Sequence, residues 1–580
     1  MIRMFDIGRK SVQELNSWRM TPDFHGVGKA EEWYKTPPAD LRLATVPSCW
    51  NLELDLFTYT GDVWYFTDFV AETDNVRLVF GAVNNECDVW VDGKPVASHY
   101  GAFMEFAVEL PHLGAGKHTL TVRVSAYHNL EDTIPLERVD WYNWGGLIRA
   151  VELHGFGEAA IVRYRVYYDL DVAARAADVR AEITLSAFGG TVTDTLTFSL
   201  GGKSVAKTVT VTGEEKFTLE LGRLEDLKLW DIFEGNLYMA EVTFAGDCLR
   251  ERIGFRKFCT EGRGLMLNGR RVELRGVNRH EDHPVTGFAM APAMIKRDLD
   301  IIRKTGCNMV RGSHYPNSKL TLDLLDEMGF LFWEVIPMWG FDPAALARPR
   351  VHERAVAMHH EMIARDFNHP AIVIWGMENE ANTGCDASPE LLKLLYATVK
   401  GLDSTRVVTY ACNRPQDDIC MEYCDMISIN VYPVWYGNIL NGGSPSEPEI
   451  WPAFIDKFEE RLISRGLNEK PLVISEFGVG GIPGNNDPFA PVRWTEEYQE
   501  DYYRRALPLI MKHRRTAGTI IWQYCDTRSA ILKLMALQRP RSFNNKGLLS
   551  EYRVPKRAWY VVKELYENAL RDGIPADKEN

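Results

Sequence analysis

The sequence predicts a multidomain chain in which two N-terminal β-sandwiches precede a (β/α)8 TIM barrel, and three observations carry that prediction. At 580 residues the chain exceeds what one hydrophobic core can serve, so two to four domains are expected. Up to Phe258 it breaks into short alternating apolar runs punctuated by Gly, Asn, Asp and Pro. After Phe258 the pattern changes, and apolar strand-like runs alternate with amphipathic helical stretches.

Residues 1–157 form the first unit, with strands at VRLVFGAV (76–83), CDVWVDG (87–93) and HTLTVRVSA (118–126). The Asp92-Gly93 pair marks a tight hairpin, because both residues tolerate positive φ. Residues 158–258 form the second, with shorter strands at 179–188, 194–202, 203–213 and 236–246, the size and strand count of one immunoglobulin-like sandwich. Residues 259–580 carry eight candidate strands at 272–278, 308–314, 330–335, 371–377, 406–412, 426–432, 471–477 and 519–524. Their residues are apolar on both parities, as expected of strands covered on both faces.

Bulk chemistry excludes several classes of function. A net charge of −14 argues against nucleic acid and anionic membrane as partners. MIRMFDIGRK has no apolar signal core and no run of 18 apolar residues occurs, so neither export nor membrane spanning is expected and a cytoplasmic location is. The ten cysteines lack zinc-type spacing and read as buried free thiols. No Gly-rich phosphate loop follows a strand.

Barrel enzymes place their chemistry at the C-terminal ends of strands. Those ends here carry Asn278-Arg279-His280, His314-Tyr315, Glu334, Asn379-Glu380, Asn430 with Tyr432, Glu476 and Trp522. Glu380 and Glu476 close apolar strands four and seven, whose ends can converge across the ring. Two such carboxyls suit glycosidic bond cleavage, one protonating the leaving oxygen and the other attacking the anomeric carbon. From position alone, either could equally be a structural ion-pair member.

NHPAIVIWGMENE (368–380) resembles the acid/base segment of glycoside hydrolase family 2, and VISEFG (473–478) its nucleophile segment. SHYPN (313–317), RGVNRHEDH (275–283) and DWYNWGGLIR (140–149) fit the same pattern, in order, across all three units. The resemblance implies a jelly-roll sugar-binding-like first sandwich, a retaining mechanism, Glu380 as acid/base, Glu476 as nucleophile and Asn379 donating to the sugar 2-hydroxyl. No metal or organic cofactor is implied. Asn544-x-Lys546 in RPRSFNNKG (539–547) is similar to the element by which family β-glucuronidases hold the C6 carboxylate of a uronic acid, and Arg541 and Arg539 add charge nearby. By the same resemblance Tyr436 lies near substrate and nucleophile, Trp522 floors the sugar site, Asp140 reaches a distal hydroxyl, and His280 and His314 hold the glycone or orient the glutamates.

The implied substrates are β-D-glucuronides, as small molecules or oligosaccharides, with β-D-galacturonides as the alternative and a homo-oligomer as the expected assembly. A β-galactosidase fits less well, since Met338 and Gly340 stand where its magnesium ligands would be. A non-hydrolytic carbohydrate-binding protein would be marked by loss of a catalytic carboxylate, and neither is lost. The short segment GFDPAALARPR (340–350) suggests an open aglycone side. One departure from the family pattern is Glu378, for which Arg275 or Arg311 are candidate ion-pair partners and modulation of Glu380 a candidate role.

Overall fold

The computed structural model describes residues 9, 11–436, 447–489, 491–530, 538–574 and 578; apart from Arg9, the N-terminal stretch read for an export signal lies outside them. The first unit is a two-sheet sandwich. Six antiparallel strands run in the order Arg42–Thr45, Ser17–Pro22, Asp62–Ala71, Gly116–Ser125, Glu86–Val91, Lys94–Tyr100. Four more, Ser11–Glu14, Val151–Phe156, Asn75–Phe80 and Phe106–Leu110, form the facing sheet. Alternate residues such as Leu78, Val89, Leu120 and Val122 fill the space between them, fully buried. The hairpin turns where expected, with Asp92 at φ 50° and Gly93 at φ 71° between paired strands.

The second unit differs from the short-strand expectation. Ala176–Leu200 is one continuous strand of 25 residues, followed by an almost equally long partner, Lys203–Leu224. A register slip between Ser186 and Thr191 lets the long strand bend, with Gly189 at φ 82°. Its first half then pairs with Ala159–Asp171 and its far end with Tyr238–Phe244, so a single five-stranded sheet folds over a core containing Ile183, Leu196, Phe198 and Val242.

The third unit is a closed parallel barrel: β1 Leu274–Arg279, β2 Met309–Gly312, β3 Leu331–Val335, β4 Ile372–Asn379, β5 Val407–Cys412, β6 Ile427–Asn430, β7 Leu472–Glu476 and β8 Thr516–Ile521. All eight fall on the sequence-predicted segments, β8 beginning three residues earlier. Every residue of β2 to β8 is buried, which explains their unbroken apolar character. Among the described residues no helix is long and apolar enough to cross a membrane, and all ten cysteines are free.

Both sandwiches are joined to the barrel by buried contacts. Phe103, Trp141 and Trp144 of the first pack with Phe288 and Tyr315 of the barrel, and Arg149 donates to Glu281 (3.1 Å) and to the Pro316 carbonyl (2.7 Å). From the second, the Trp230 indole donates to the Asp326 carbonyl at 2.8 Å. The first of these seams carries Asp140, next to Trp141, to the C-terminal mouth of the barrel.

Candidate active site

Glu476 ends β7 and is 3% exposed. Its Oε1 accepts from Arg311 Nη1 at 2.7 Å, and its Oε2 accepts from the Tyr432 hydroxyl at 2.9 Å. Arg311, on β2, is itself fully buried, and a cation there must be paired. Its other bonds run to Asn278 Oδ1 (2.8 Å) and Asn379 Oδ1 (2.6 Å). Glu380 stands just past β4 with φ 56°, a left-handed conformation uncommon for a non-glycine residue. Its Oε1 accepts from Asn430 Nδ2 at 2.9 Å and its Oε2 from Asn413 Nδ2 at 3.1 Å. Asn430 also donates to Asn379 Oδ1 (3.0 Å), so one network ties both glutamates together.

The two carboxyls have different partners, and that difference sets their protonation. Burial, then the neighbouring Glu476 charge, push the Glu380 carboxyl up to about 8. Burial also raises Glu476, but the Arg311 guanidinium and the Tyr432 hydroxyl oppose it by stabilising the anion. Glu476 thus has a cation beside it that Glu380 lacks, an asymmetry of the kind that acid-assisted displacement uses. Among the described residues Asn379 Nδ2 is buried with no partner, leaving a donor for a ligand.

Behind the glutamates, His314 stacks on Trp522 (5.0 Å, 8°) with Nε2 3.6 Å from Glu476 Oε1, and His280 meets the same indole edge-on at 5.6 Å. Burial lowers both imidazoles, His280 to about 3, so both are neutral. Among the described residues His280 Nε2 and His314 Nδ1 are buried without partners.

At the other end of the site Lys546, 1% exposed, donates to the Tyr436 hydroxyl at 2.6 Å and rests against the Tyr436 and Trp435 rings (4.7 and 5.4 Å). Burial, then Arg539, press its ammonium well below the usual lysine range. Asn544 Nδ2 donates to Asp140 Oδ2 at 3.1 Å. Asp140 also accepts from Nε and Nη2 of Arg539. Burial pushes Asp140 up, but Arg539 overrides it and holds the carboxyl below its ordinary value.

Three placements depart from the sequence expectations. The tyrosine bonded to Glu476 is Tyr432, while Tyr436 belongs to the lysine end. The arginine at Asp140 is Arg539; Arg541, at φ 62°, turns away to Glu551 (3.0 Å) and Asn545 (2.9 Å). Glu378 is paired with neither Arg275 nor Arg311; its Oε2 accepts from the Ala381 amide at 2.7 Å. Arg311, Tyr432, Asn430 and Asn413 were not among the sequence-predicted ligands, although a buried strand arginine beside an acid was a usable signal. Arg493 also joins the lysine end, its guanidinium 3.7 Å over the Trp435 ring.

Among the described residues one cluster has metal-like spacing, Asp323, Asp326 and His369, at the opposite end of the barrel. His369 donates to Asp326 at 2.6 Å and is raised to about 9, with burial opposing and the Asp326 charge prevailing; a protonated imidazole is an ion-pair partner rather than a ligand.

Comparisons with known proteins identify the family. Residues 259–570 match the TIM barrel domain of glycosyl hydrolases family 2, and residues 12–156 match the sugar binding domain of that family. A β-galacturonidase from Eisenbergiella tayi, solved bound to galacturonate, is 31% identical over 98% of this chain and 99% of its own, with a TM-score of 0.89. A β-glucuronidase from Paenibacillus borealis is 27% identical over 96% of both chains. A β-glucuronidase from Ruminococcus gnavus, solved with D-glucaro 1,5-lactone, is 25% identical over 97% and 98%, with a TM-score of 0.84. The chain is a member of glycoside hydrolase family 2.

Proposed function

We propose that this enzyme is a retaining exo-β-hexuronidase, with β-D-glucuronides as the substrates to which its motifs point. The observation that carries the uronate assignment is Lys546: a buried lysine with no carboxylate bonded to it among the described residues, flanked by Asn544 and held by the Tyr436 hydroxyl. Burying such a cation is costly unless an anion arrives to share the site, and the C6 carboxylate of a hexuronide is that anion.

In the proposed cycle the sugar lies over Trp522, with its carboxylate on Lys546 and Asn544 and its 2-hydroxyl on the free Asn379 Nδ2. Glu380 protonates the glycosidic oxygen while Glu476 attacks the anomeric carbon to give a covalent glycosyl-enzyme. Arg311 and Tyr432 hold Glu476 ionised and oriented. Glu380, now ionised, takes a proton from water, which releases the hexuronic acid with net retention.

Galacturonide hydrolysis is the second reading, and a specific observation favours it. Asp140, the acid expected at a distal hydroxyl, is doubly engaged by Arg539, so that end of the site presents a guanidinium together with the carboxylate. The similarity to the E. tayi β-galacturonidase points the same way. The test is kcat/KM on p-nitrophenyl β-glucuronide, β-galacturonide, β-glucoside and β-galactoside. Activity confined to the two neutral sugars would overturn the hexuronidase assignment, and the ratio between the two uronides assigns the C4 configuration. Expected assembly is a homo-oligomer, measured by light scattering.

A further inference from the structure

Glu378 is a third acid beside the pair, and nothing in the cycle above uses it. It lies where β4 slips against β5: Gly376 is level with Thr409, but Asn379, three residues on, is level with Ala411, only two on. The extra residue forms a bulge. Around it the backbone is tied to both neighbours. The Asn379 amide donates to the Met338 carbonyl (2.8 Å), the Gly340 amide to the Asn379 carbonyl (2.9 Å), and the Glu380 amide to the Ala411 carbonyl (2.8 Å). Glu380 then turns left-handed at φ 56°, a conformation that is strained for a non-glycine residue.

That turn leaves the amide of Ala381, a fully buried residue, in need of an acceptor, and the acceptor is Glu378 Oε2 at 2.7 Å. The side chain thus closes a loop across Asn379 and Glu380. Other roles fit poorly. The Nη1 and Nη2 groups of Arg311 donate to Glu476, Asn278 and Asn379, and its only ion pair among the described residues is with Glu476, so Glu378 is not its ion-pair partner. Glu378 makes no hydrogen bond to Glu380, so it is not a relay to the acid. Burial raises its carboxyl well above the ordinary range, and Asp418 and Glu380 add to that, which suits a neutral acceptor.

We propose that Glu378 is a positioning residue, whose carboxyl oxygen, by accepting from the Ala381 amide, fixes the left-handed turn that aims Glu380 into the site. This rests on Glu380 being the proton donor, and leaving-group dependence separates the two ideas. A p-nitrophenolate leaves with little protonic help, whereas an alkoxide needs the acid.

The experiment compares E378Q, E378A, E378M and E380A on p-nitrophenyl and methyl β-hexuronides, with and without azide. E380A is expected to lose about 10²-fold or more in kcat/KM on the methyl glycoside, far less on the aryl one, and to regain aryl turnover with azide. Equal losses on both substrates and no azide effect would sink the donor role of Glu380 itself. With E380A as expected, E378A and E378M should lose roughly 10–100-fold on the methyl glycoside and little on the aryl one, as a displaced acid would. E378Q, whose amide oxygen still accepts, should keep the wild-type ratio. Should the other two fail to fold, E378Q decides alone: a methyl-to-aryl ratio shifted tenfold overturns the proposal, as would equal losses on both substrates in E378A or E378M.

Discussion

At the scale of single residues, the site works by giving like groups unlike partners. Among the described residues Glu380 accepts from the neutral amides of Asn430 and Asn413, whereas Glu476 accepts from a guanidinium and a phenol. The pH profile of kcat/KM should follow. In the proposed cycle Glu380 donates a proton, so activity should be lost as pH rises through about 8, where its carboxyl lies. The same cycle needs Glu476 ionised, so activity should also be lost as pH falls through Glu476, which lies above the ordinary carboxylate value. An alkaline limb near pH 4 to 5 would contradict this assignment. Lys546 gives a second expectation. Truncation to alanine removes a charge-assisted bond worth about 1.5–3 kcal/mol, so kcat/KM on a hexuronide should fall roughly 10–100-fold. The neutral glucoside should be nearly unaffected, and equal losses on both would refute the clamp. Because the empty site depresses the ammonium, binding a hexuronate inhibitor near neutral pH should take up a proton, seen by titration calorimetry in buffers of different ionisation enthalpy. The residues at the strand mouths were legible because an acid ending an apolar run stands out in sequence. Arg539 and Arg541 were not separable, since nothing in RPRSF announces that Arg541 takes φ 62° and swings its guanidinium outward.

At the scale of elements, strand ends place the chemistry and helix ends place the strands. Helix Lys319–Met328 starts on the Ser318 hydroxyl, which accepts from the Thr321 amide, and stops at Gly329 with φ 67°. A methyl group on Gly329 would lie 2.5 Å from the Phe233 amide and 2.6 Å from the Asp231 carbonyl, both backbone atoms of the second sandwich. Gly329→Ala therefore combines a left-handed penalty of about 1 kcal/mol with a clash that only domain movement relieves. It should lower Tm by several degrees in a calorimetric scan while leaving kcat of the folded fraction unchanged, because the site is at the other end of the barrel. The barrel strands were readable from their apolar character on both parities. The second sandwich was less so: alternation marks strand residues, but Gly189 and Gly190 look like a turn whether the chain reverses there or only bends. Tertiary pairing with Lys203–Leu224 makes it a bend.

At the scale of the molecule, the barrel does not complete its own site. Phe288 and Tyr315 are covered by Phe103, Trp141 and Trp144, and the sandwich supplies Asp140. Residues 259–580 expressed alone should expose this aromatic cluster, bind a hydrophobic dye and show no turnover. A well-folded, active fragment would contradict that dependence. The sequence revealed the order of the units but not the seam between them, because a tryptophan in DWYNWGG reads the same whether it fills its own core or a neighbour's. The Arg539–Asp140 pair joins residues 399 positions apart, one in the first sandwich and the other in the loop before the last helix. During synthesis, then, the first-made part of the sugar pocket must wait while the 399 positions that separate the pair are added. A nascent chain that has folded its sandwiches but not reached Arg539 still lacks this partner for Asp140, and hydrolytic competence should arise abruptly once residues 539–546 have left the ribosome.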